Sequence, residues 1–243
     1  MFFARNVAML TNRIFDSDID AKNPRTYSRV IASGEVSIKI ASFYAAGNAI
    51  MFIIFAGLFI LWDNQWPLNL SVPVLLCLVT YPHLKRLTWL CHVYLGASLA
   101  LSPLAAAIAI QPDTLLHIPI WLLSGAVLCW VAGFDIIYAL QDVEYDKRDN
   151  LKSMPASLGV KPAMGISQFL HCICVALLFG VATTEQQFGW LFLTSIFLVA
   201  GLLMYEHLTV KKWGTTKIAL TFFTLNGIVS LVLGGAGIIN LLT

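Results

Sequence analysis

Seven stretches of this chain are apolar over a length that crosses a bilayer, at roughly 40–62, 66–82, 88–110, 115–140, 162–182, 188–208 and 217–241. A hydrocarbon core takes about 20 helical residues to cross. Inside it a backbone has no water to bond, so the spanning segments must be helices that satisfy their own N–H and C=O groups. Residues 1–15 read as the last turns of one more helix. Charged residues make up 12% of the 243 positions, about half the share of a soluble domain, and the mean hydropathy is +0.79. The expected fold class is all-α: a polytopic membrane helical bundle of seven full spans plus a partial N-terminal helix. It forms a single domain, 1–243, with the lipid bilayer as its solvent.

The linkers between the runs alternate in character. Three are short and carry single acids (Asp63, Asp113 and Glu185), whereas 16–39, 83–87, 141–161 and 209–216 are polar and basic. Fourteen of the fifteen Lys and Arg residues lie in or beside the second group, and the exception, Arg5, lies within the first helix. The positive-inside rule therefore places those linkers on the cytoplasmic face. The expected location is a bacterial cytoplasmic (inner) membrane. A net charge of +2 makes no case for nucleic acid, and none is expected as a partner. All five cysteines fall inside apolar runs without C-x-x-C spacing, which reads as small buried hydrophobes rather than disulfides or ligands. No cleavable signal peptide is visible.

Two acidic clusters break this apolar pattern. Asn12, Asp16 and Asp20 recur every four residues and so share one helix face, with Asp18 pointing away. Asp142, Asp146 and Asp149, spaced i, i+4 and i+7, likewise share one face, with Glu144 turned elsewhere. Mg²⁺ takes oxygen ligands, often only one or two carboxylates, with substrate phosphates completing its shell. Two carboxylate faces at one membrane surface suit a pair of Mg²⁺ ions around a diphosphate; the bland alternative is a set of solvated loop charges. Tyr81-Pro-His-Leu-Lys85-Arg86 forms a basic turn on the same side, and Arg25, Lys147, Arg148 and Lys152 stand beside the acids. These supply charge-assisted donors for phosphate oxygens, although topology alone also accounts for basic residues there. Asp135 precedes Asp142 by seven residues on one stripe, with Tyr138 nearby. Arg5 stands in the same relation to Asn12. Ionisable groups at membrane depth are functional candidates by default, with mutual pairing as the alternative. Asn48 and Tyr44 are explained equally well by a helix–helix hydrogen bond. The five histidines show no ligand spacing and read as loop or interfacial residues.

The sequence Asn12-x-x-x-Asp16-x-x-x-Asp20, followed by Ala21-Lys-Asn-Pro-Arg-Thr26, resembles the first aspartate-rich motif of the UbiA superfamily of intramembrane prenyltransferases. Tyr138-Ala-Leu-Gln-Asp142-x-x-x-Asp146 with Lys152-Ser-Met-Pro-Ala-Ser-Leu-Gly159 resembles the second, and Tyr81-Pro-x-x-Lys85-Arg86 the basic turn between them. The stretch from Gly133 to Glu144 looks like the branch that prenylates aromatic acids for quinone synthesis. This resemblance implies a nine-helix fold, of which the chain lacks the first helix and about half of the second. A late start, a fragment or an inactive copy are the readings of that difference. It further implies that Asn12, Asp16 and Asp20 hold one Mg²⁺ and Asp142 and Asp146 the other. Lys85 and Arg86 then grip the diphosphate; Arg25 and Lys152, beside the acids, are read from their position as further diphosphate contacts. Arg5 meets the carboxylate of an acceptor that also lies near Tyr138.

The expected activity is Mg²⁺-dependent transfer of a polyprenyl group from polyprenyl diphosphate to the ring carbon of an aromatic acid acceptor, 4-hydroxybenzoate. The catalytic set is Asp16, Asp20, Asp142, Asp146 and Asp135, the last orienting the acceptor or taking its ring proton. The alternative acceptor is 1,4-dihydroxy-6-naphthoate, from menaquinone synthesis. A transporter would need acids near mid-bilayer and broken helices, whereas here the acids gather at one surface. A phosphoalcohol transferase would need glycine and Ala-Arg neighbours that these motifs lack.

Overall fold

The computed structural model describes residues 1–218 and 220–242, and every regular element among them is helical. The principal helices are α1 (Phe2–Phe15), α2 (Ile38–Gly57), α3 (Trp66–Thr80), α4 (Cys91–Ile110), α5 (Ile118–Ala139), α6 (Val160–Thr184), α7 (Trp190–Trp213) and α8 (Asn226–Leu242). With their 3₁₀ and short helical extensions, seven of these are long and apolar enough to span a membrane. They match the seven apolar runs of the sequence, except that run 217–241 includes residue 219, which lies outside the described residues. The protein is a polytopic helical membrane bundle.

Local chemistry sets the helix ends. The Ser37 side chain accepts a hydrogen bond from the Ile40 N–H and caps α2, satisfying one of the donors a helix start leaves open. Proline stands in the first turn of both α3 and α5, where a missing N–H costs nothing. Burial increases toward α5: the span built on it is 44% buried inside the protein, against 11% for the span built on α2. α5 packs most extensively on α4 and α6. Gly96 allows the closest approach, since a methyl there would lie 2.4 Å from the Leu128 carbonyl oxygen of α5.

A polar layer crosses the core behind α5. Trp130 Nε1 donates to Asn226 Oδ1 at 2.7 Å, His171 Nε2 lies 3.3 Å from the Trp130 carbonyl, and His171 Nδ1 lies 3.0 Å from His207 Nε2. Glu206, 1% exposed, completes it. His171 and His207 are therefore core residues, which corrects the reading of the histidines as loop or interfacial. Gly133 makes room for the His171 ring. The cysteines are all free, but only Cys91, Cys129 and Cys174 are buried; Cys172 is exposed. An apolar run in a membrane protein faces either neighbouring helices or lipid, so its hydrophobicity alone does not bury every member.

Candidate active site

Both acidic motifs lie where a helix breaks. α1 stops at Phe15, Asp16 adopts φ −94° and ψ 0°, and a short helix, Ser17–Asp20, follows. The single continuous helix expected across Asn12, Asp16 and Asp20 is thus interrupted. The i to i−4 backbone bonds Asp16 N–H to Asn12 O (3.0 Å) and Asp20 N–H to Asp16 O (2.7 Å) persist, so the three side chains still share a stripe. The second motif behaves alike: α5 gives way to a 3₁₀ turn, Leu140–Asp142, and then to a helix, Val143–Arg148.

The two stripes face each other across a cavity of about 280 Å³. Its walls carry Asn12, Asp16 and Asp20 from the first motif, Asp142 and Asp146 from the second, and Asp135 and Tyr138 from the end of α5. Lys85, Arg25 and Arg29 are the basic residues in the lining. Five carboxylates against three bases leave the cavity acidic, a balance that favours a divalent cation.

The acids are held by salt bridges. Lys85 Nζ lies 2.5 Å from Asp16 Oδ2, and Arg29 Nη1 lies 2.7 Å from both oxygens of Asp20. The Arg25 guanidinium grips Asp142 through Nε (3.0 Å to Oδ1) and Nη2, and donates to the Tyr138 hydroxyl at 2.8 Å. Asn23 Nδ2 adds a bond to Asp142 Oδ1 at 2.9 Å. Burial pushes the Asp16 carboxyl above the ordinary carboxylate range, with nearby Lys85 opposing the shift. Burial also works against the Arg25 charge, but the hydrogen bonds and charge of Asp142 outweigh it and raise the guanidinium pKa.

The donor set fits Mg²⁺. Asp16 Oδ1 is buried without a hydrogen-bond partner, its nearest cation being the Arg86 guanidinium at 4.0 Å, which leaves the oxygen free to take a closer one. Among the described residues no three His, Cys, Asp or Glu side chains converge into a closed metal cage. That arrangement suits an ion which takes few carboxylates and completes its shell with substrate phosphate.

Other expected site residues fall elsewhere. Arg86 Nη2 donates to the Phe15 carbonyl at 2.7 Å, at the end of α1, and stands 4.0 Å from Asp16 Oδ1. Lys152 Nζ donates to the Leu87 carbonyl at 3.1 Å, and its backbone N–H bonds the Lys85 carbonyl at 2.6 Å. Neither lines the cavity; both fasten the turn that carries Lys85. Arg5 is exposed. It shares the Asn12 stripe but sits about 10 Å further along the axis, beyond the end of the cavity lining at Asn12. The face of α1 buried against its neighbours is instead Ala4, Val7 and Thr11. Asn6 Nδ2 donates to Asn48 Oδ1 at 3.0 Å, the helix–helix bond allowed for Asn48. Sequence reasoning missed Arg29, Asn23 and His92. Arg29 follows Arg25 by four residues just after the first motif, a spacing that could have drawn attention to it. His92 is a lone histidine at a helix start and gives no periodic signal. The structure nevertheless buries it in the lining, with Nδ1 2.6 Å from Asp135 Oδ2.

Residues 1–237 match the family model described as UbiA prenyltransferase family. The protein belongs to the UbiA prenyltransferase family. Among curated relatives, this UbiA-family chain is 28% identical over 211 residues to a 4-hydroxybenzoate octaprenyltransferase of Francisella tularensis subsp. novicida; the match covers 86% of this chain and 72% of that protein. It is 29% identical over 214 residues to a protein of the same name from Colwellia psychrerythraea, covering 86% and 70%. Among solved structures, the apo form of a UbiA homologue from Aeropyrum pernix K1 superposes with a TM-score of 0.86 at 32% identity, covering 98% of this chain and 86% of that one. A structure reported for digeranylgeranylglyceryl phosphate synthase, 22% identical with a TM-score of 0.70, shares the fold, covering 100% of this chain and 83% of that one. The protein is accordingly an integral membrane prenyltransferase of UbiA type.

Proposed function

We propose that this prenyltransferase moves a polyprenyl group from polyprenyl diphosphate to a ring carbon of an aromatic acid, 4-hydroxybenzoate, in quinone synthesis, at the cytoplasmic face of a bacterial membrane. The observation that carries the proposal is the opposition of two carboxylate stripes across one cavity, with Lys85, Arg25 and Arg29 between them. The names of the Francisella and Colwellia relatives support the acceptor, and the basic linkers support the orientation.

In this mechanism Asn12, Asp16 and Asp20 would hold one Mg²⁺, and Asp142 and Asp146 a second. When bound, Mg²⁺ neutralises the charge that develops on the leaving diphosphate. Lys85, Arg25 and Arg29 line the same cavity and would supply donors to the diphosphate oxygens that strengthen as that charge grows. Arg86 and Lys152 act one step away, by fixing the turn that presents Lys85. As the bond between the allylic carbon and oxygen breaks, the apolar bundle keeps water from the carbocation. The electron-rich ring carbon ortho to the acceptor's hydroxyl then attacks. The donor's apolar tail lies in the lipid, which is why such an enzyme is membrane-embedded.

The test is transfer of radiolabelled prenyl diphosphate, by membranes containing the protein, to a panel of aromatic acids that includes 4-hydroxybenzoate and 1,4-dihydroxy-6-naphthoate. Transfer to 4-hydroxybenzoate that EDTA abolishes, Mg²⁺ restores and Asp142→Ala eliminates is the expected result. Transfer only to the naphthoate would move the assignment to that acceptor. Full turnover in Asp142→Ala would overturn the metal assignment.

A further inference from the structure

His92 sits in the first turn of α4, and its two ring nitrogens have different partners. The Met154 backbone N–H donates to Nε2 at 3.1 Å. Nε2 is therefore the unprotonated nitrogen, and the proton of the neutral ring is on Nδ1. Nδ1–H then donates to Asp135 Oδ2 at 2.6 Å. A second proton on Nε2 would face the Met154 N–H head-on, so the backbone of the segment after the second motif holds His92 in one tautomer.

Asp135 differs from Asp16, Asp20 and Asp142 in what holds it. Asp16, Asp20 and Asp142 each face a lysine or arginine, whereas Asp135 faces a neutral N–H donor. It also lies seven residues deeper along α5 than Asp142, about 10 Å, on the apolar side of the diphosphate grip. Its side chain is 21% exposed, into the cavity. With Oδ2 occupied by His92, the oxygen left for a ligand is Oδ1, and a carboxylate oxygen at that depth calls for a hydrogen-bond donor rather than a phosphate.

We propose that His92 is the positioning residue of the acceptor site, holding Asp135 so that its second carboxylate oxygen receives the hydroxyl hydrogen of the aromatic acceptor. This rests on the function proposed above. The ortho carbon of the ring forms a bond to the allylic carbon, and the electron pair of the breaking carbon–oxygen bond leaves with diphosphate. The hydroxyl proton passes to Asp135, giving a neutral dienone. The ortho C–H proton is then lost to water at the cavity mouth, its electron pair restores the aromatic ring, and Asp135 returns its proton to the oxygen. One proton is released per transfer, and Asp135 ends as it began.

The experiment compares 4-hydroxybenzoate with 4-methoxybenzoate, which has no hydroxyl hydrogen to give. A site built to bond a substrate hydroxyl discriminates strongly against the analogue without it, so the wild type should prefer 4-hydroxybenzoate by at least about 100-fold in kcat/KM. In His92→Ala that preference should fall at least tenfold, about 1.4 kcal/mol of discrimination. The acceptor KM should rise while the KM for the prenyl diphosphate stays within about twofold. His92→Asn, which keeps an N–H donor at the position of Nδ1, should recover the preference. The unchanged donor KM also reports that the variant is folded. Should His92→Ala fail to accumulate, Asp135→Asn serves, with the same collapse of preference expected. If the wild type prenylates 4-hydroxybenzoate and the preference survives in these variants, or if both KM values rise together, this inference fails alone. If the wild type prenylates no hydroxylated aromatic, the proposed function fails and takes this inference with it.

Discussion

Gly96→Ala tests how closely α4 and α5 must approach. The added methyl carbon would stand 2.4 Å from the Leu128 carbonyl oxygen and 3.2 Å from both the nitrogen and the Cβ of Ala132. A carbon–oxygen contact of this kind settles near about 3.3 Å, so the helices must separate by roughly 0.9 Å at this level. His92 lies one turn from Gly96 on α4, and Asp135 lies one turn from Ala132 on α5. The same separation carried to that pair would stretch its 2.6 Å bond to roughly 3.5 Å, outside hydrogen-bonding range. Overpacking of this kind costs about 1–3 kcal/mol. Thermal unfolding of the detergent-solubilised protein should show Tm lowered by several degrees, and the preference for a hydroxylated acceptor should weaken in parallel. The principal clash is with backbone, so Ala132→Gly added to Gly96→Ala should not restore Tm. A Tm within about 1 °C of wild type, where 1 kcal/mol corresponds to about 2–4 °C in a chain of this size, would refute the close approach. Full rescue by Ala132→Gly would refute the backbone as its cause.

Lys85→Ala should raise the KM for the prenyl diphosphate at least tenfold, whereas Arg86→Ala should act mainly on Tm, because Arg86 holds the Phe15 carbonyl; equal effects on donor KM would erase that distinction. Gly133→Ala places a methyl 2.3 Å from two atoms of the His171 ring and should lower Tm by displacing it from His207, as thermal unfolding would report; an unchanged midpoint would contradict the packing described. Glu206 is buried, hydrogen-bonded to Asn226 and in no salt bridge among the described residues, with Oε1 unpartnered, so Glu206→Gln, which keeps an acceptor for Asn226, should leave Tm unchanged or higher. A fall of several degrees would mean that the core needs the carboxylate, and not merely an acceptor for Asn226.

What could be read from the sequence divides along physical lines. The spans were legible because a bilayer demands apolar runs of fixed length, and the two acidic motifs stood out because little else in the chain is charged. Their convergence on one cavity followed from the alternation of the linkers. Where individual bases point was not legible. Arg25, Arg29 and Lys85 turn inward while Arg86 and Lys152 take backbone carbonyls, a choice made by loop geometry that spacing does not encode. Arg5 shows what a stripe argument leaves open: helical periodicity puts it on the face of Asn12 but does not say whether it reaches the cavity lining, from which it is absent. His92 was missed because its partner, Asp135, is 43 residues away, and a single histidine before an apolar run looks the same whether it meets lipid headgroups or a carboxylate.

The salt bridges across the cavity bear on how it fills. A diphosphate arriving alone must draw Lys85, Arg25 and Arg29 from their acids, leaving Asp16, Asp142 and Asp20 uncompensated. A divalent cation arriving alone must take the acids and strand the bases. Only when both arrive is every charge answered, so each ligand should tighten the other, and by thermodynamic reciprocity to the same degree. Affinity for inorganic diphosphate, measured with and without Mg²⁺, reports that coupling, and equal values would show that the pairs are not broken on binding. On the proposed function, a cavity arranged in this way is expected to act as a coincidence detector, taking a prenyl diphosphate only together with a divalent cation.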